Sequence, residues 1–343
     1  MPGLVPGIHV LLTCGRKDVD SRDKPGHDDG REPMIIETEQ DVTKAVLAEL
    51  AHAPNARFRE VMAAFVRHLH DFARDVQLTE EEFREAMNYI VKIGQASNET
   101  HNEAVLISGS LGFSQLIVML NNGDNGGDTD ASLLGPFWRM HSPPTENGGS
   151  IVRSPTPGDP MFVNAQYVDK AGKPIAGVEI DIWHSSTEGF YENQDPVQAD
   201  MNLRGKFVTD KDGRMAFRSI KPAGYPIPID GPTGDLLRAQ KRHNMRPAHL
   251  HFLATKDGFK TLISQIYVQD DKFIDSDVQF GVTRKLIGNY VRHENEPAPA
   301  ADVKGPWYSL DYTFTMEPGT TKLPRAPISG KAKGERPQIP HLA

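Results

Sequence analysis

The hydrophobic pattern changes its period partway along the chain, and this change constrains the fold more than any other feature of the sequence. From about residue 38 to residue 121, apolar residues recur at helical intervals, most clearly over residues 58–72. After Leu133 the period becomes two, as over residues 178–182. Short alternating segments between Gly- and Pro-containing turns are typical of an antiparallel β-sandwich. We therefore predict a mostly β protein in which a helical N-terminal domain precedes an antiparallel β-sandwich domain.

The same patterns locate individual elements. Helices are predicted over residues 42–50 and 58–72, after a capping box at residues 79–82, and as a fourth helix over residues 106–116. Strands are predicted over residues 178–183, 215–219, 249–254, 262–268 and 308–316.

The pattern also divides the chain into segments. Residues 1–33 lack a core pattern, so we expect a disordered leader there and treat Met34 as an alternative start. Residues 34–130 form the predicted helical domain, which ends in a Gly-, Asn- and Asp-rich linker at 121–130. Residues 131–318 form the predicted sandwich. Residues 319–343 are rich in Pro, Gly, Lys and Arg, and we expect a flexible tail.

Composition narrows the class of protein. A hydrophobic content of 38% and a charged content of 24% are typical of soluble globular proteins. No apolar run is long enough to span a bilayer, and the formal net charge of −8 argues against nucleic acid as a partner. The single cysteine, Cys14, excludes an internal disulfide and a thiolate metal site. We expect a cytoplasmic protein without a membrane or nucleic-acid partner.

Two histidines that are one residue apart, His249 and His251, are candidate metal ligands. Such a pair can share an ion from a strand, where alternate side chains point the same way. On a helix the two side chains would lie about 200° apart. The apolar residues between and after the pair indicate a strand. His68 and His70 have the same spacing but lie in a helical pattern, so we interpret them as helix surface or rim residues.

Two tyrosines in predicted loops, Tyr191 and Tyr225, are candidate oxygen donors. No acid or cysteine lies beside the histidine pair that would complete a zinc or ferrous triad. Phenolate oxygens accompany imidazoles well on Fe(III). Taken singly, each tyrosine would more often be a turn or rim residue, and only the joint pattern favours a ligand role.

Seven segments together resemble the intradiol ring-cleavage dioxygenases, the catechol and hydroxyquinol 1,2-dioxygenase group. They are Leu-Gly-Pro-Phe at 134–137, Asp-Ile-Trp-His at 181–184, Gly-Phe-Tyr at 189–191, Leu-Arg-Gly at 203–205, Asp-Gly-Pro at 230–232, Arg-Pro-Ala-His-Leu-His at 246–251 and Phe-Gly-Val at 280–282. The resemblance covers residues 38–318. It implies a catalytic sandwich, a helical domain that forms a homodimer, and cleavage of a small aromatic diol or triol by O2 to a (hydroxy)muconate or maleylacetate.

The resemblance also implies roles for single residues. Tyr225 and His251 would be axial ligands of one Fe(III) per chain, and Tyr225 would leave when the diol binds. Arg246 would stabilise negative charge on the substrate, and Gln265 matches a family active-site position, so that Tyr225, Arg246 and Gln265 form the implied catalytic set. The complete implied ligand set is Tyr191, Tyr225, His249 and His251.

The sequence leaves two candidate substrates for the enzyme that the resemblance implies. Hydroxyquinol is slightly favoured, but hydroxyquinol enzymes tend to carry an acid where this chain has Gly109. Catechol or a chlorocatechol is therefore the alternative substrate. The substrate-facing residues implied by the resemblance are Leu106, Gly109, Leu133, Pro136, Phe137, Pro226, Ile227, Pro228, Gly281 and Val282.

Simpler interpretations apply to several nearby residues. Arg246 taken alone would be a structural ion-pair partner. A non-catalytic, transthyretin-like sandwich that binds a ligand is the remote alternative for the whole chain, and it would not be coloured by iron. We interpret Trp183, His184 and Phe190 as packing residues, and Asp270, Asp271, Asp275 and Asp277 as a solvated acidic loop.

Overall fold

The computed structural model describes residues 35–122 and 129–342. The expected leader at 1–33 and most of the expected linker lie outside the described residues. The chain forms two compact units, one that ends at Met87 and one that runs from Asn88 to Ala343. The sandwich predicted for residues 131–318 lies within the second unit.

Three helices open the described chain: α1 (Glu39–Ala51), α2 (Ala56–Asp75) and α3 (Glu80–Ala96). The capping box predicted at residues 79–82 is present. The Thr79 N–H donates to Glu82 Oε2 at 2.9 Å, and the Glu82 N–H donates to Thr79 Oγ1 at 3.3 Å. These bonds satisfy backbone donors that have no partner inside a helix.

The predicted fourth helix is in fact two helices, α4 (Glu103–Ser110) and α5 (Phe113–Asn122), whose axes differ by 79°. Gly112 lies between them with φ +72°, a left-handed conformation that glycine adopts at low cost. The prediction of one helix was wrong because apolar spacing does not register a turn at a single glycine. Within the described chain, no helix alone has the length and apolarity to cross a bilayer, and only the bent pair α4–α5 meets these criteria jointly.

The second unit contains the strands, which form two sheets and a short ribbon. The strands are β1 (Pro160–Val168), β2 (Glu179–Trp183), β3 (Arg204–Val208), β4 (Arg214–Ile220), β5 (Tyr225–Pro226), β6 (Met245–Arg246), β7 (His249–Thr255), β8 (Leu262–Val268), β9 (Ile287–Gly288), β10 (Val291–His293) and β11 (Trp307–Thr315). The four-stranded sheet has the order β10-β11-β1-β4, the five-stranded sheet has the order β3-β2-β7-β8-β9, and the ribbon pairs β5 with β6. A helix, α6 (Pro232–Ala239), lies between the two ribbon strands in sequence.

The sandwich is mixed, whereas the sequence predicted a purely antiparallel one. β1 pairs in parallel with β11, and β8 pairs in parallel with β9. Parallel neighbours need a long connection, which alternation within single strands cannot reveal. The connection from β8 to β9 is the segment 269–286, and it carries residues of the site described below.

The main core takes side chains from both sheets. Leu250, Phe252 and Ala254 of β7 all belong to it, as expected for one face of a strand. β7 lies in the middle of its sheet, between β2 and β8. The two neighbouring strands therefore fix the register of β7, and this positions the two histidines on its other face.

The C-terminal segment, expected to be flexible, makes defined contacts with the rest of its unit. Ile328 is buried. Lys331 Nζ donates to three backbone carbonyls, those of Glu192, Asp195 and Gln198, at 2.6–3.0 Å. These bonds link the segment to the loop that follows Tyr191.

Candidate metal centre

His249 and His251 lie on one face of β7, as their spacing predicted. Both side chains are at most 2% exposed, and their Nε2 atoms are 3.1 Å apart. The pair with equal spacing, His68 and His70, lies on α2, where His68 is exposed and His70 Nδ1 contacts Thr43 Oγ1 at 2.8 Å. The strand is therefore what makes this spacing useful for chelation.

The two tyrosines reach the histidines from different parts of the chain. Tyr191 lies in the loop after β2, and its hydroxyl is 3.0 Å from His251 Nε2 and 3.5 Å from His249 Nε2. Tyr225 lies on β5, and its hydroxyl accepts a hydrogen bond from the Tyr191 hydroxyl at 3.2 Å. Both tyrosines are buried.

Aromatic packing fixes the orientation of the candidate ligands. Trp183 stacks on His251 with ring centroids 4.5 Å apart and a 10° interplanar angle. Phe137 packs on Tyr191 with centroids 4.7 Å apart. Gly135 has φ +74°, and a Cβ there would lie 3.2 Å from His251 Cε1. Glycine therefore lets the loop at 134–137 approach this histidine closely.

The donor set fits one metal ion. Metal–nitrogen and metal–oxygen bonds of about 2.0–2.2 Å place donors that share an ion about 3–3.5 Å apart. The separations observed here span 3.0–3.5 Å. His249 Nδ1 contacts the Pro247 carbonyl at 2.7 Å, which assigns the ring proton to Nδ1 and leaves the Nε2 lone pair free. Among the described residues, no group of three or more His, Cys, Asp and Glu side chains could hold a metal, so the tyrosines complete this set.

Burial sets the protonation of the four donors. It raises the pKa of Tyr191 well above its ordinary value, and the nearby Tyr225 raises it further. It also raises the pKa of Tyr225, against the opposing effect of Arg246. Burial lowers the pKa of His249 and His251 well below the ordinary value. At pH 7 the imidazoles are therefore neutral, as metal ligands must be, and the phenols need a cation to become phenolates.

Arg246 lies beside the donors in a network of its own. Its Nη1 is 3.3 Å from His249 Nε2. Its Nη2 donates to Tyr267 at 2.8 Å and to Gln265 Oε1 at 3.0 Å. Gln265 also donates to the Leu133 carbonyl, so in this structure it orients Arg246 and the loop before Phe137.

Asp277 is the principal correction to the sequence-based interpretation. We expected it in a solvated loop, but it is 5% exposed and accepts hydrogen bonds from Arg246 Nε at 3.0 Å and Nη2 at 2.9 Å. Arg246 therefore forms an ion pair with Asp277 and also lies next to the candidate metal donors. No local signal distinguishes Asp277 from the exposed Asp275, because its burial depends on the path of the segment 269–286.

The expected pocket residues divide into three groups. Leu106, Phe137 and Ile227 pack in one buried cluster with Tyr191 and Tyr225. Leu133, Pro136, Pro226 and Gly281 are buried beside Gln265, Gly135, Tyr225 and Arg246 respectively. Of the remaining three, Pro228 lines a surface cavity with residues 337–340, Val282 packs against the sandwich core, and Gly109 lies beside Gln279.

Gly109 does not face open space. A Cβ built there would lie 2.9 Å from Cδ of the Gln279 side chain. Gln279 is not among the substrate-facing residues that the resemblance implies. His184, which we also interpreted as a packing residue, is buried. Its Nε2 forms a hydrogen bond with Ser219 Oγ at 2.7 Å and does not contact the donors.

Comparison with known proteins shows what the chain as a whole is similar to. A family model described as "Dioxygenase" matches residues 134–316, and one described as "Catechol dioxygenase N terminus" matches residues 55–129. A hydroxyquinol 1,2-dioxygenase of Rhizobium sp. is 38% identical over 81% of this chain and 95% of its own length. A catechol 1,2-dioxygenase of Candida albicans is 35% identical over 81% and 92%. The crystal structure of hydroxyquinol 1,2-dioxygenase from Pseudomonas putida DLL-E4 has a TM-score of 0.73 at 34% identity, covering 82% of this chain and 99% of that chain.

Proposed function

The chain belongs to the intradiol ring-cleavage dioxygenases, and from this premise we propose that it opens the ring of hydroxyquinol with O2. The observation that carries the proposal is the convergence of four buried donor atoms, from Tyr191, Tyr225, His249 and His251, within 3.0–3.5 Å of their neighbours. A sandwich that only bound a ligand would have no need of such a set.

We propose one ferric ion per chain at these four donors, in keeping with the non-haem iron that this family uses. A bound ferric ion would act as a Lewis acid that lowers the pKa of the diol hydroxyls, and the deprotonated ring is electron-rich enough to react with O2. Two phenolates would offset most of its charge. The burial of all four donors excludes water from the place where they meet.

Tyr225 is the residue best placed to take a proton from the diol. It faces Arg246 across the β5–β6 ribbon. Burial raises the pKa of its phenol, which favours the protonated form once a diol has displaced it. Tyr225 would therefore serve as the base for one proton of the diol.

Arg246 supplies fixed positive charge to the substrate. Burial lowers the pKa of its guanidinium, but the charge of Asp277 outweighs this effect and the pKa lies well above the ordinary value. The guanidinium is therefore charged at all working pH values. Its position 3.3 Å from His249 Nε2 lets it stabilise negative charge that develops on the diol ring.

Catechol is the second candidate substrate. The polar contact expected for a third hydroxyl at position 109 is missing, because this residue is a glycine, and a catechol 1,2-dioxygenase is among the relatives. Catechol, chlorocatechols and hydroxyquinol share the vicinal diol that the metal centre would bind. The ratio of their kcat/KM values, measured by oxygen uptake, decides between them.

We also propose that two chains form a homodimer through the helices. Many large apolar side chains on α2, α3 and α5 are exposed, which is unusual for a monomer. They include Phe65, Phe72, Phe83, Ile90, Phe113 and Leu120.

The cytoplasmic location that the single cysteine favours stays a prediction.

One experiment tests the main proposal with a control that the chain itself offers. The purified protein is assayed for iron, visible colour and oxygen uptake with each diol. We expect about one iron per chain, loss of iron and activity in His249→Ala, and retention of both in His68→Ala, since His68 has the same spacing but lies on a helix. Iron-free protein that cleaves a diol, or iron-loaded protein that consumes no O2 with any diol, would overturn the proposal.

A further inference from the structure

The nitrogen of one buried amide, that of Gln279, has no hydrogen-bond partner among the described residues. Gln279 is 2% exposed, and among the described residues its Nε2 meets no hydrogen-bond acceptor. A buried amide without a partner is destabilising unless something else satisfies it. The side chain therefore points to a polar group that binds there.

The backbone around Gln279 ties it to the site. Asp277, two residues earlier, holds Arg246, and Val278 packs in the cluster of the two ligand tyrosines. The Gln279 N–H donates to Asp277 Oδ1 at 3.1 Å. The turn that carries the amide is thus fixed against the residues that surround the metal donors.

Helix α4 supplies the opposite wall. Leu106 packs in the cluster of the ligand tyrosines, and Gly109 lies three residues later, on the same face of the helix. A Cβ at Gly109 would lie 3.0 Å from Gln279 Oε1 and 3.1 Å from Nε2. Because residue 109 is a glycine, the amide occupies this position without displacement.

We propose that the Gln279 carboxamide binds the third hydroxyl of a trihydroxylated aromatic ring and so selects hydroxyquinol over catechol. Its Nε2 donates to the hydroxyl oxygen, which gives the unpaired nitrogen an acceptor. Catechol lacks this hydroxyl and leaves the amide unpaired, which is the condition under which a polar site discriminates strongly. The inference rests on the proposed function, since it assumes that the diol binds at the four donors.

The test replaces the amide with an apolar group of similar size. In Gln279→Leu, we expect the hydroxyquinol-to-catechol ratio of kcat/KM to fall by about 10- to 100-fold, mainly through hydroxyquinol. The dissociation constants of both diols, measured without O2 by visible titration of the iron-loaded protein, should shift by a similar ratio. Gln279→Met, with its unbranched side chain, serves if the leucine variant does not fold.

A matched control comes from Gln115 on α5. It is 6% exposed, and its amide nitrogen, like that of Gln279, is unpaired among the described residues, as is its amide oxygen. Gln115→Leu should change stability as Gln279→Leu does but leave the substrate ratio unchanged. Gly109→Ala should lower the ratio in the wild-type background, because its Cβ displaces the amide, and should have little effect in Gln279→Leu.

The outcomes separate this inference from the proposed function. If the wild-type protein binds no iron or cleaves neither diol, the proposed function fails. If it cleaves both, and a folded Gln279→Leu or Gln279→Met variant keeps the wild-type ratio of rates and of dissociation constants, the assignment of Gln279 is wrong while the proposed function stands.

Discussion

Replacing Asp277 by asparagine tests how the site holds Arg246. Asp277 Oδ1 accepts hydrogen bonds from Arg246 Nε at 3.0 Å and from the Gln279 N–H at 3.1 Å. Its Oδ2 accepts from Arg246 Nη2 and from the Gly281 N–H, both at 2.9 Å. Asparagine keeps one oxygen and places an NH2 group against two N–H donors. Two of the four hydrogen bonds are then lost, and Arg246 keeps its charge without a counter-charge.

The size of the effect follows from burial. Both side chains of the pair are at most 2% exposed. Removing one partner of a buried ion pair costs about 3–5 kcal/mol of unfolding free energy. Two hydrogen bonds to charged groups at about 1.5–3 kcal/mol each give a similar range. The control is Asp235→Asn, since the pair of Asp235 with Arg238 is exposed and should contribute less than about 1 kcal/mol.

The pH dependence has a definite sign. Burial raises the pKa of Asp277, but the charge and hydrogen bonds of Arg246 outweigh it, so the pKa lies below its ordinary value. A lowered pKa stabilises the fold fully above the unfolded-state value of about 3.9, and this stabilisation is lost as the pH falls through the folded-state value. Asparagine does not titrate. The gap between wild type and variant should therefore be constant from about pH 5 to pH 7 and narrow in acid.

Urea unfolding followed by tryptophan fluorescence measures the gap on iron-loaded proteins, with the m-value as a check on two-state behaviour. Asp277→Asn should also lower kcat/KM, because Arg246 is no longer held beside His249. A stability loss no larger than that of Asp235→Asn, or a gap that widens in acid, would show that the Asp277–Arg246 pair does not stabilise the fold in this way.

Three further predictions follow from other contacts. Tyr191→Phe should lose or shift the visible colour and lower iron content, whereas Tyr308→Phe, far from the donors in sequence and on β11, should leave the absorption spectrum unchanged. Arg336→Ala removes the bidentate partner of the buried Asp195 and should lower the unfolding free energy by about 1–3 kcal/mol in urea titrations; an unchanged midpoint would mean that the C-terminal segment adds no stability. Leu120→Glu places a charge on an apolar side chain that is 70% exposed, so sedimentation should show a shift from dimer to monomer; an unaltered dimer would exclude α5 from the interface.

Much of the fold could be predicted because local patterns report local geometry. The change of period located the helices and strands, since side-chain direction repeats every 3.6 residues on a helix and every two on a strand. The same rule placed His249 and His251 on one face of a strand and His68 and His70 on a helix. Motifs in chain order then indicated which tyrosines belong with the histidines.

The contacts that complete the site could not be predicted from the sequence, because they depend on where distant segments of the chain meet. The Tyr191 hydroxyl reaches His251 across 60 residues of sequence, and Asp277 reaches Arg246 across 31. No periodicity encodes such distances, because they are set by how sheets pair and where the β8–β9 connection runs. For the same reason the sequence showed only that Gly109 stands where hydroxyquinol enzymes tend to carry an acid. The fold brings the amide of Gln279 to that position.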